Sequence, residues 1–465
     1  MGGPIIRVRA GETFQVELLN VLTADDNTPA GTDINVAHMP NTTNLHTHGL
    51  HISGEGDGDN VFVSVPPLSS TTYTYVIPPN HMAGTFFYHP HHHGSLQLQF
   101  GGGAQGFIIV EDEPNSLPPD MLAMETVEVA MTYIEPAKLI AAQQKYNTDL
   151  WTLTGVRRNM LLTNGQTAPS KIVQAGKWTR FRLLFTSDGS LLSGLFPQSA
   201  SGSASCEMHL LAKDGMYLPT MPRAIDRAYL APGGRADVAI RCSGTGNVNL
   251  VGGVLGAGQD ATRATSYVAM QLNVQASSAP VAPSLVQFRP YRPCYLADTS
   301  SVEPRSNFDL VLGTGNPNTK INGEFFVSPT ISLNPTSPFV TGTVGQITLI
   351  QGTYVHVFHV HVNSYQIAEL SPVIDNTYFQ VGDWHDTFNA FVSQPAGSSK
   401  AVLKFWVDRF AGRHVVHCHM SQHEDEGMMN TLLVTGTEGA TVNAAARLVD
   451  STCYTAVADQ GYVLL

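Results

Sequence analysis

Residues Gly412–Met429 read Gly-Arg-His-Val-Val-His-Cys-His-Met-Ser-Gln-His-Glu-Asp-Glu-Gly-Met-Met. Val415 and Val416 predict a strand running into His417-Cys418-His419, and on a strand successive side chains point to opposite faces. Cys418 then faces one way, while His417 and His419 face the other, roughly 7 Å apart by strand rise. One tripeptide can therefore serve two metal sites on opposite sides of one backbone. His423 and Met428 follow in an expected loop that can curl back to the Cys418 side. A thiolate, imidazoles and a weak thioether are the ligand set of a His2Cys blue-copper site. Zinc is the plainer alternative for any single His/Cys pair, but a trailing Met is not a usual zinc ligand and the short paired spacings of structural zinc are absent. A lone buried Cys is otherwise an inert small core residue.

Three further stretches carry His-x-His: His46-Thr47-His48, His89-Pro90-His91 and His356-Val357-Phe358-His359-Val360-His361. On a strand this spacing puts both imidazoles on one face as a half-site for metal. Parity separates His356 from His359 and His361, which groups His356 with Cys418 and His423. The mononuclear set is then His356, Cys418 and His423 with Met428 axial. His46, His48, His89, His91, His359, His361, His417 and His419 remain as eight imidazoles, enough for three more copper ions. The other eight of the 18 histidines (38, 51, 81, 92, 93, 209, 385, 414) lack such pairing and read as structural or surface, with His92 and His93 ambiguous. One His-x-His is weak, because such a pair is more often solvated or core than metal-bound. Four of them, one enclosing a Cys followed by His and Met, make a strong signal.

The elements that must hold these residues are strands. Of 465 residues only 13% are charged, Gly (42) and Pro (28) are abundant, and short β-branched or aromatic runs recur between turn clusters. That profile predicts an all-β chain of two to four domains. Residues 113–119 and 275–283 interrupt the period-two pattern, which predicts blocks at 1–112, 120–275 and 286–465. Strands are expected at 13–19, 71–77, 106–110, 127–131, 179–185, 346–350, 355–362, 402–407 and 414–419. An internal echo at an offset of 165 residues matches Pro4, Val8, Ala10, Gly11, Leu18 and Leu19 to Pro169, Val173, Ala175, Gly176, Leu183 and Leu184. A repeat on that scale points to duplicated domains.

The formal charge of −12 with no basic stripe argues against a nucleic-acid partner. No apolar run is long enough to span a membrane, and the given N-terminus lacks the features of a secretory signal. Setting Cys418 aside leaves Cys206, Cys242, Cys294 and Cys453. Two disulfides, Cys206–Cys242 and Cys294–Cys453, are the favoured pairing among three possible, with four reduced thiols as the alternative. A sequon at Asn41 leans toward an extracellular or periplasmic setting.

With these residues in hand, the chain resembles a three-domain multicopper oxidase of the laccase-like superfamily, with a methionine axial to the type 1 copper. The four His motifs in order, Asn164-Gly165-Gln166 and Trp384-His385-Asp386-Thr387 carry the resemblance, which covers nearly the whole chain. It implies three cupredoxin-like Greek-key β-barrel domains, with the mononuclear copper in the third and a trinuclear cluster between the first and third. It implies four copper ions per chain. Type 1 copper takes His356, Cys418, His423 and Met428; type 2 takes His46 and His359; the type 3 pair takes His48, His89, His91, His361, His417 and His419. Glu424 and Asp57 match the family's proton-delivery acids, with Asp59 a close competitor. The first domain lacks the strand or two that ordinarily precede the Ile5–Val8 segment. Pro90-His91-His92-His93 and the Val-Asn after His361 also depart from the commoner pattern, but no ligand is lost.

The implied reaction takes single electrons from a donor near His423 or His356, relays them through Cys418 to His417 and His419, and reduces dioxygen to water. A Met axial ligand lowers the potential, which favours phenols, aromatic amines or low-valent metal ions as donors. The 14 Met are scattered rather than clustered, which argues mildly against a dedicated Cu(I) oxidase; Fe(II) and Mn(II) oxidation stay open. A non-enzymatic copper carrier would have lost trinuclear ligands, and a copper nitrite reductase would leave several histidines without purpose.

Overall fold

The computed structural model describes residues 2–24, 34–145, 158–256, 264–314, 319–352, 355–371, 375–389, 399–437 and 461–465. The fold is all-β, with strands stacked as pairs of sheets. The N-terminal part has a four-stranded sheet in the order Ile6–Val8, Gly106–Val110, Gly84–His89, His46–His48, facing a two-stranded sheet of Thr13–Asn20 and Ser69–Val76. Five-stranded sheets pair in the C-terminal part, and one of them carries Phe358–Val360 beside Gly412–Cys418. A seven-stranded and a five-stranded sheet lie between these parts in sequence.

Each part carries the same device. A short strand pairs parallel to the closing strand of its sheet, the chain turns at a glycine, and a long strand follows in the partner sheet. The short strands are Ile6–Val8, Ser170–Gln174 and Phe339–Val340. The turns are Gly11, Gly176 and Gly342, at φ 85°, 77° and 81°, a left-handed conformation that only glycine adopts without strain. The sequence echo between residues 4–19 and 169–184 falls on the first two copies. The third copy keeps Pro335, Gly342 and Leu349 in the same spacing, but Phe339, Thr341 and Ile350 replace the Val, Ala and second Leu of the echo.

The long strands show why these residues pair. Thr13–Asn20 alternates exposed and half-buried positions, so one face meets the core and the other solvent. Trp178–Ser187 is buried at every position, as a central strand covered on both faces must be. A single apolar cluster runs through the middle and C-terminal parts, from Met131 and Phe181 to Phe358, Trp406 and Cys418. A separate, smaller core around Tyr73, Tyr75, Phe86 and Ile108 serves the N-terminal part.

Two expected elements differ. The strand expected at 355–362 is confined to Phe358–Val360, because Val362 turns the chain at φ 72°; His356 and His361 therefore flank the ladder. The loop expected after His419 contains a one-turn helix, Ser421–Asp425, that carries His423. It is pinned from two sides. Asp425 accepts the backbone N–H groups of Gly94 (2.7 Å) and Gln97 (2.8 Å), and Ser421 donates to Asp188 at 2.6 Å. No helix among the described residues is long and apolar enough to cross a membrane.

Candidate metal centres

The strand Gly412–Cys418 ends in alternation, and the two sides of it meet different partners. The Cys418 thiol lies 3.7 Å from His356 Nδ1 and 3.6 Å from His423 Nδ1, which stand 3.1 Å from each other. A trigonal metal with N and S bonds of roughly 2.0 and 2.3 Å spans S···N edges of roughly 3.7 Å. His356 arrives here because Phe358 is in register with Cys418 and residue 356 shares Phe358's parity. Met428 is fully buried and closes the loop through backbone bonds: Cys418 N–H to Met428 O at 3.0 Å and Met428 N–H to His423 O at 2.9 Å. Burial pushes the Cys418 thiol up to about 12, so a metal must displace its proton on binding.

On the opposite face of the strand lie the eight imidazoles. His359 is in register with His417, and His46 with His89, so two strand pairs from distant parts of the chain bring four rings together. His91 follows Pro90 just past the end of its strand. His91 Nε2 and His361 Nε2 stand 3.2 and 3.3 Å from His417 Nε2, and His48 Nδ1 stands 3.2 Å from His419 Nε2. Two nitrogens about 2.0 Å from one tetrahedral metal are separated by roughly 3.3 Å.

Proton positions fit the same purpose. His46 Nδ1 is held by Asp59 at 2.7 Å, His89 Nδ1 by the Pro90 carbonyl at 2.8 Å and His359 Nδ1 by the Asp386 carbonyl at 2.8 Å. The Nε2 atoms of these three rings are buried with no hydrogen-bond partner. A buried polar atom without a partner costs about 1–3 kcal/mol, and three converging lone pairs are a cation's donor set. Burial and neighbouring imidazoles hold His46, His48, His89, His359, His361 and His419 well below the usual histidine range; burial takes His417 down to about 3 and His91 to about 4. All eight are neutral at pH 7, the form that ligates metal. The residues present therefore fit copper on both sides of the strand.

The acids divide differently from expectation. Glu424 is buried between two rings of the cluster, with one oxygen 3.2 Å from His91 Nδ1 and the other 2.7 Å from His417 Nδ1. Burial pushes its carboxyl up to about 7, with His91 pulling the other way. Asp57 is exposed and touches none of the imidazoles. Two residues on, Asp59 is buried, accepts the Thr47 N–H at 2.6 Å and holds His46. Of the two, Asp59 and not Asp57 lies against the imidazoles, because the turn at 53–59 carries the first side chain outward and the second inward.

Asp386 and Thr387 figure in the sequence only as part of a landmark segment with no role given to them, and Arg235 not at all. Asp386 and Thr387 contact His48 Nε2 at 3.1 and 2.8 Å, and Arg235 reaches Asp386 from the middle part of the chain at 2.7 Å. Burial pushes Asp386 up to about 6 while Arg235 pulls it down, so it is ionised at neutral pH. The remaining eight histidines join none of these groups among the described residues. His51, for one, stacks on Tyr295 at 4.0 Å and pairs with Asp408. Cys206 and Cys242 form a disulfide, Cys294 is disulfide-bonded, Cys418 is the free thiol among the described residues, and Cys453 lies outside them.

Comparison with known proteins agrees with this chemistry. Two family models, each described as multicopper oxidase, match residues 30–115 and 299–438. A laccase of Bacillus stratosphericus is 24% identical over 92% of this chain and 88% of its own length. A multicopper oxidase of Staphylococcus aureus is 22% identical over 93% of this chain and 82% of its own. Among solved structures, the McoA multicopper oxidase of Aquifex aeolicus superposes with TM-score 0.68 at 21% identity, covering 93% of this chain and 89% of that one. A multicopper oxidase from Campylobacter jejuni, described as a metallo-oxidase, gives TM-score 0.67 at 18% identity, covering 93% and 85%.

Proposed function

Because this chain belongs to the multicopper oxidases, copper-binding oxidoreductases that use dioxygen, we propose that it couples one-electron oxidation of phenols or aromatic amines to reduction of dioxygen to water. The observation that carries the reading is the division of residues 417–419 between two donor sets on opposite faces of one strand. We assign four copper ions. His356, Cys418 and His423, with Met428, would hold the first; His46 and His359 would hold the second; His48, His89, His91, His361, His417 and His419 would hold a pair. Bound copper supplies one-electron oxidation on the thiol side and dioxygen reduction on the imidazole side.

The chain's own groups do the rest. His423 is the half-buried ligand on the thiol side and offers the edge at which a donor delivers its electron. Cys418 passes that electron through its own backbone to the adjacent His417 and His419, a route short enough to need no intervening cofactor. Glu424, with its carboxyl near 7 and its two oxygens 3.2 and 2.7 Å from two cluster rings, holds a proton where oxygen reduction consumes one. Asp59 holds His46 and, being buried beside it, is a second such acid. The Cys206–Cys242 disulfide supports an extracellular or periplasmic location. Three domains at about 1–112, 120–275 and 286–465 remain our division of the chain.

Metal analysis and the visible spectrum of copper-loaded protein test the class: four coppers per chain and an intense band near ~600 nm are expected of a His2Cys site. Oxygen uptake with a phenol against Fe(II), Cu(I) and Mn(II) tests the donor. Faster turnover with a metal ion overturns the phenol assignment in favour of the metallo-oxidase reading that the Campylobacter jejuni relative suggests.

Glu424→Gln keeps shape but cannot hold a transferable acid proton. We expect about 10²–10⁴-fold slower oxygen reduction with unchanged copper content. Anaerobic bleaching of the ~600 nm band by donor should proceed at the wild-type rate. Slowed bleaching would show instead that Glu424 shapes the thiol-side site.

A further inference from the structure

We propose that Asp386, held in place by Arg235, is the positioning residue that decides which ring nitrogen His48 and His359 offer to metal. This rests on the copper assignment above and concerns residues that bind no donor and hold no metal in that assignment.

The argument starts from a single hydroxyl. Thr387 Oγ1 donates its one proton to Asp386 Oδ1 at 2.8 Å. Having spent it, the hydroxyl can only accept from its other two neighbours, His48 Nε2 at 2.8 Å and His359 Nδ1 at 3.3 Å. Asp386 strengthens both demands, its Oδ1 accepting from His48 Nε2 at 3.1 Å and its backbone carbonyl from His359 Nδ1 at 2.8 Å. His48 must then carry its proton on Nε2 and present the Nδ1 lone pair, while His359 does the reverse. His48 is thereby opposite to His46, His89 and His359, whose Nδ1 atoms are held and whose Nε2 atoms are unpartnered. Its Nδ1 indeed points at His419, 3.2 Å away.

Arg235 makes the carboxylate immovable. Its five donors are all used: Nε to Thr85 O (3.3 Å), Nη1 to Gly233 O (2.9 Å) and Asp386 Oδ1 (2.7 Å), Nη2 to Asp214 O (3.0 Å) and Asp386 Oδ2. An independent feature places His48 on the same pair. A Cβ at Gly49 would sit 2.3 Å from Arg235 Nη2 and 2.4 Å from Asp386 Oδ2, so the backbone beside His48 rests directly on the ion pair. The middle part of the chain, which supplies none of the eight imidazoles, thus reaches the cluster through this guanidinium as well as at Gly233, where a Cβ would sit 2.8 Å from His419 Nε2.

The test titrates copper into metal-free wild type, Asp386→Ala, Asp386→Asn and Thr387→Val against a chelator, following the ~600 nm band separately from total copper. In Asp386→Ala the three cluster coppers should bind about 10–100-fold more weakly, while the thiol-side site keeps its affinity and its band. Asp386→Asn should fall nearer to wild type, since its amide oxygen can still accept from Thr387. Thr387→Val, which keeps volume, should weaken the cluster about 10-fold even if Asp386→Ala does not fold. Wild-type cluster affinity in both Asp386→Ala and Thr387→Val overturns the proposal. So does a parallel loss at both sites with a lower melting point of the metal-free protein, the mark of a merely structural pair. A wild type that never takes up cluster copper would fail the copper assignment itself, a separate outcome.

Discussion

Replacing Cys418 with serine should abolish the ~600 nm band and cut phenol-driven oxygen uptake by at least ~10³-fold, about 4 kcal/mol of barrier, while copper on the other face of the strand is retained. Cys418 Sγ stands within reach of His356 and His423, and the imidazoles of His417 and His419 lie on the opposite side with their own partners. A hydroxyl keeps the shape and the backbone bond from residue 418 to Met428 O. It is, however, a hard donor with a proton it will not release, so it supplies neither the soft ligand nor the thiolate through which the electron leaves. The expected product is a chain with three coppers, no blue colour and no turnover. Copper counting, the visible spectrum and oxygen uptake on one preparation check it. Turnover within tenfold of wild type would mean that electrons reach the cluster without passing residue 418.

The ligand groups were legible because their geometry follows from strand parity alone. The separation of His356 from His359, and of Cys418 from His417, needs only an extended backbone, and it survives although residues 356 and 361 lie just outside the ladder. Parity does not reach groups that meet from distant strands without a repeating pattern. Arg235 and Asp386 are 151 residues apart, and nothing in the local sequence of either says that a guanidinium will be buried there. The WHDT segment was visible as a landmark, but its carboxylate acquires a role only once His48 packs on it. Asp57 and Asp59 show the limit at short range. Turn residues two apart have no fixed periodicity, so which acid faces inward is settled by the turn at 53–59 and not by spacing. The third copy of the strand–glycine–strand device escaped for another reason, since only Pro335, Gly342 and Leu349 remain of the echo, too few identities to stand out.

Acid should unfold the metal-free protein well above the pH at which ordinary carboxylates titrate. The eight cluster imidazoles are buried and held far below the usual 6.5, His91 at about 4 and His417 at about 3 among them. In the unfolded chain each regains a value near 6.5. A group whose folded value is depressed in this way stays neutral in the native state and binds its proton only on unfolding, so its contribution is fully present above about 6.5 and is lost as pH falls. Each costs about 1.4 kcal/mol per pH unit below that point. Five buried acids oppose the trend, because Glu424 (about 7), Asp386 (about 6), Asp59, Asp188 and Asp425 take up protons in the native state first. His81, His92, His93, His414 and His423 are held at about 3–4 as well, so with all five acids protonated the imidazoles lead by 8 + 5 − 5 = 8 protons, roughly 11 kcal/mol per pH unit. Against a total stability of about 5–15 kcal/mol, one to two units suffice. Melting curves of metal-free protein at pH 7.5, 6.5 and 5.5 should show the folded state lost by the last. Copper-loaded protein should hold to lower pH, since metal on the lone pairs must be displaced before protons can bind. Equal stability of the metal-free chain at pH 7.5 and 5.5 would show that the eight rings are not held neutral, and with that the preformed donor set would be lost.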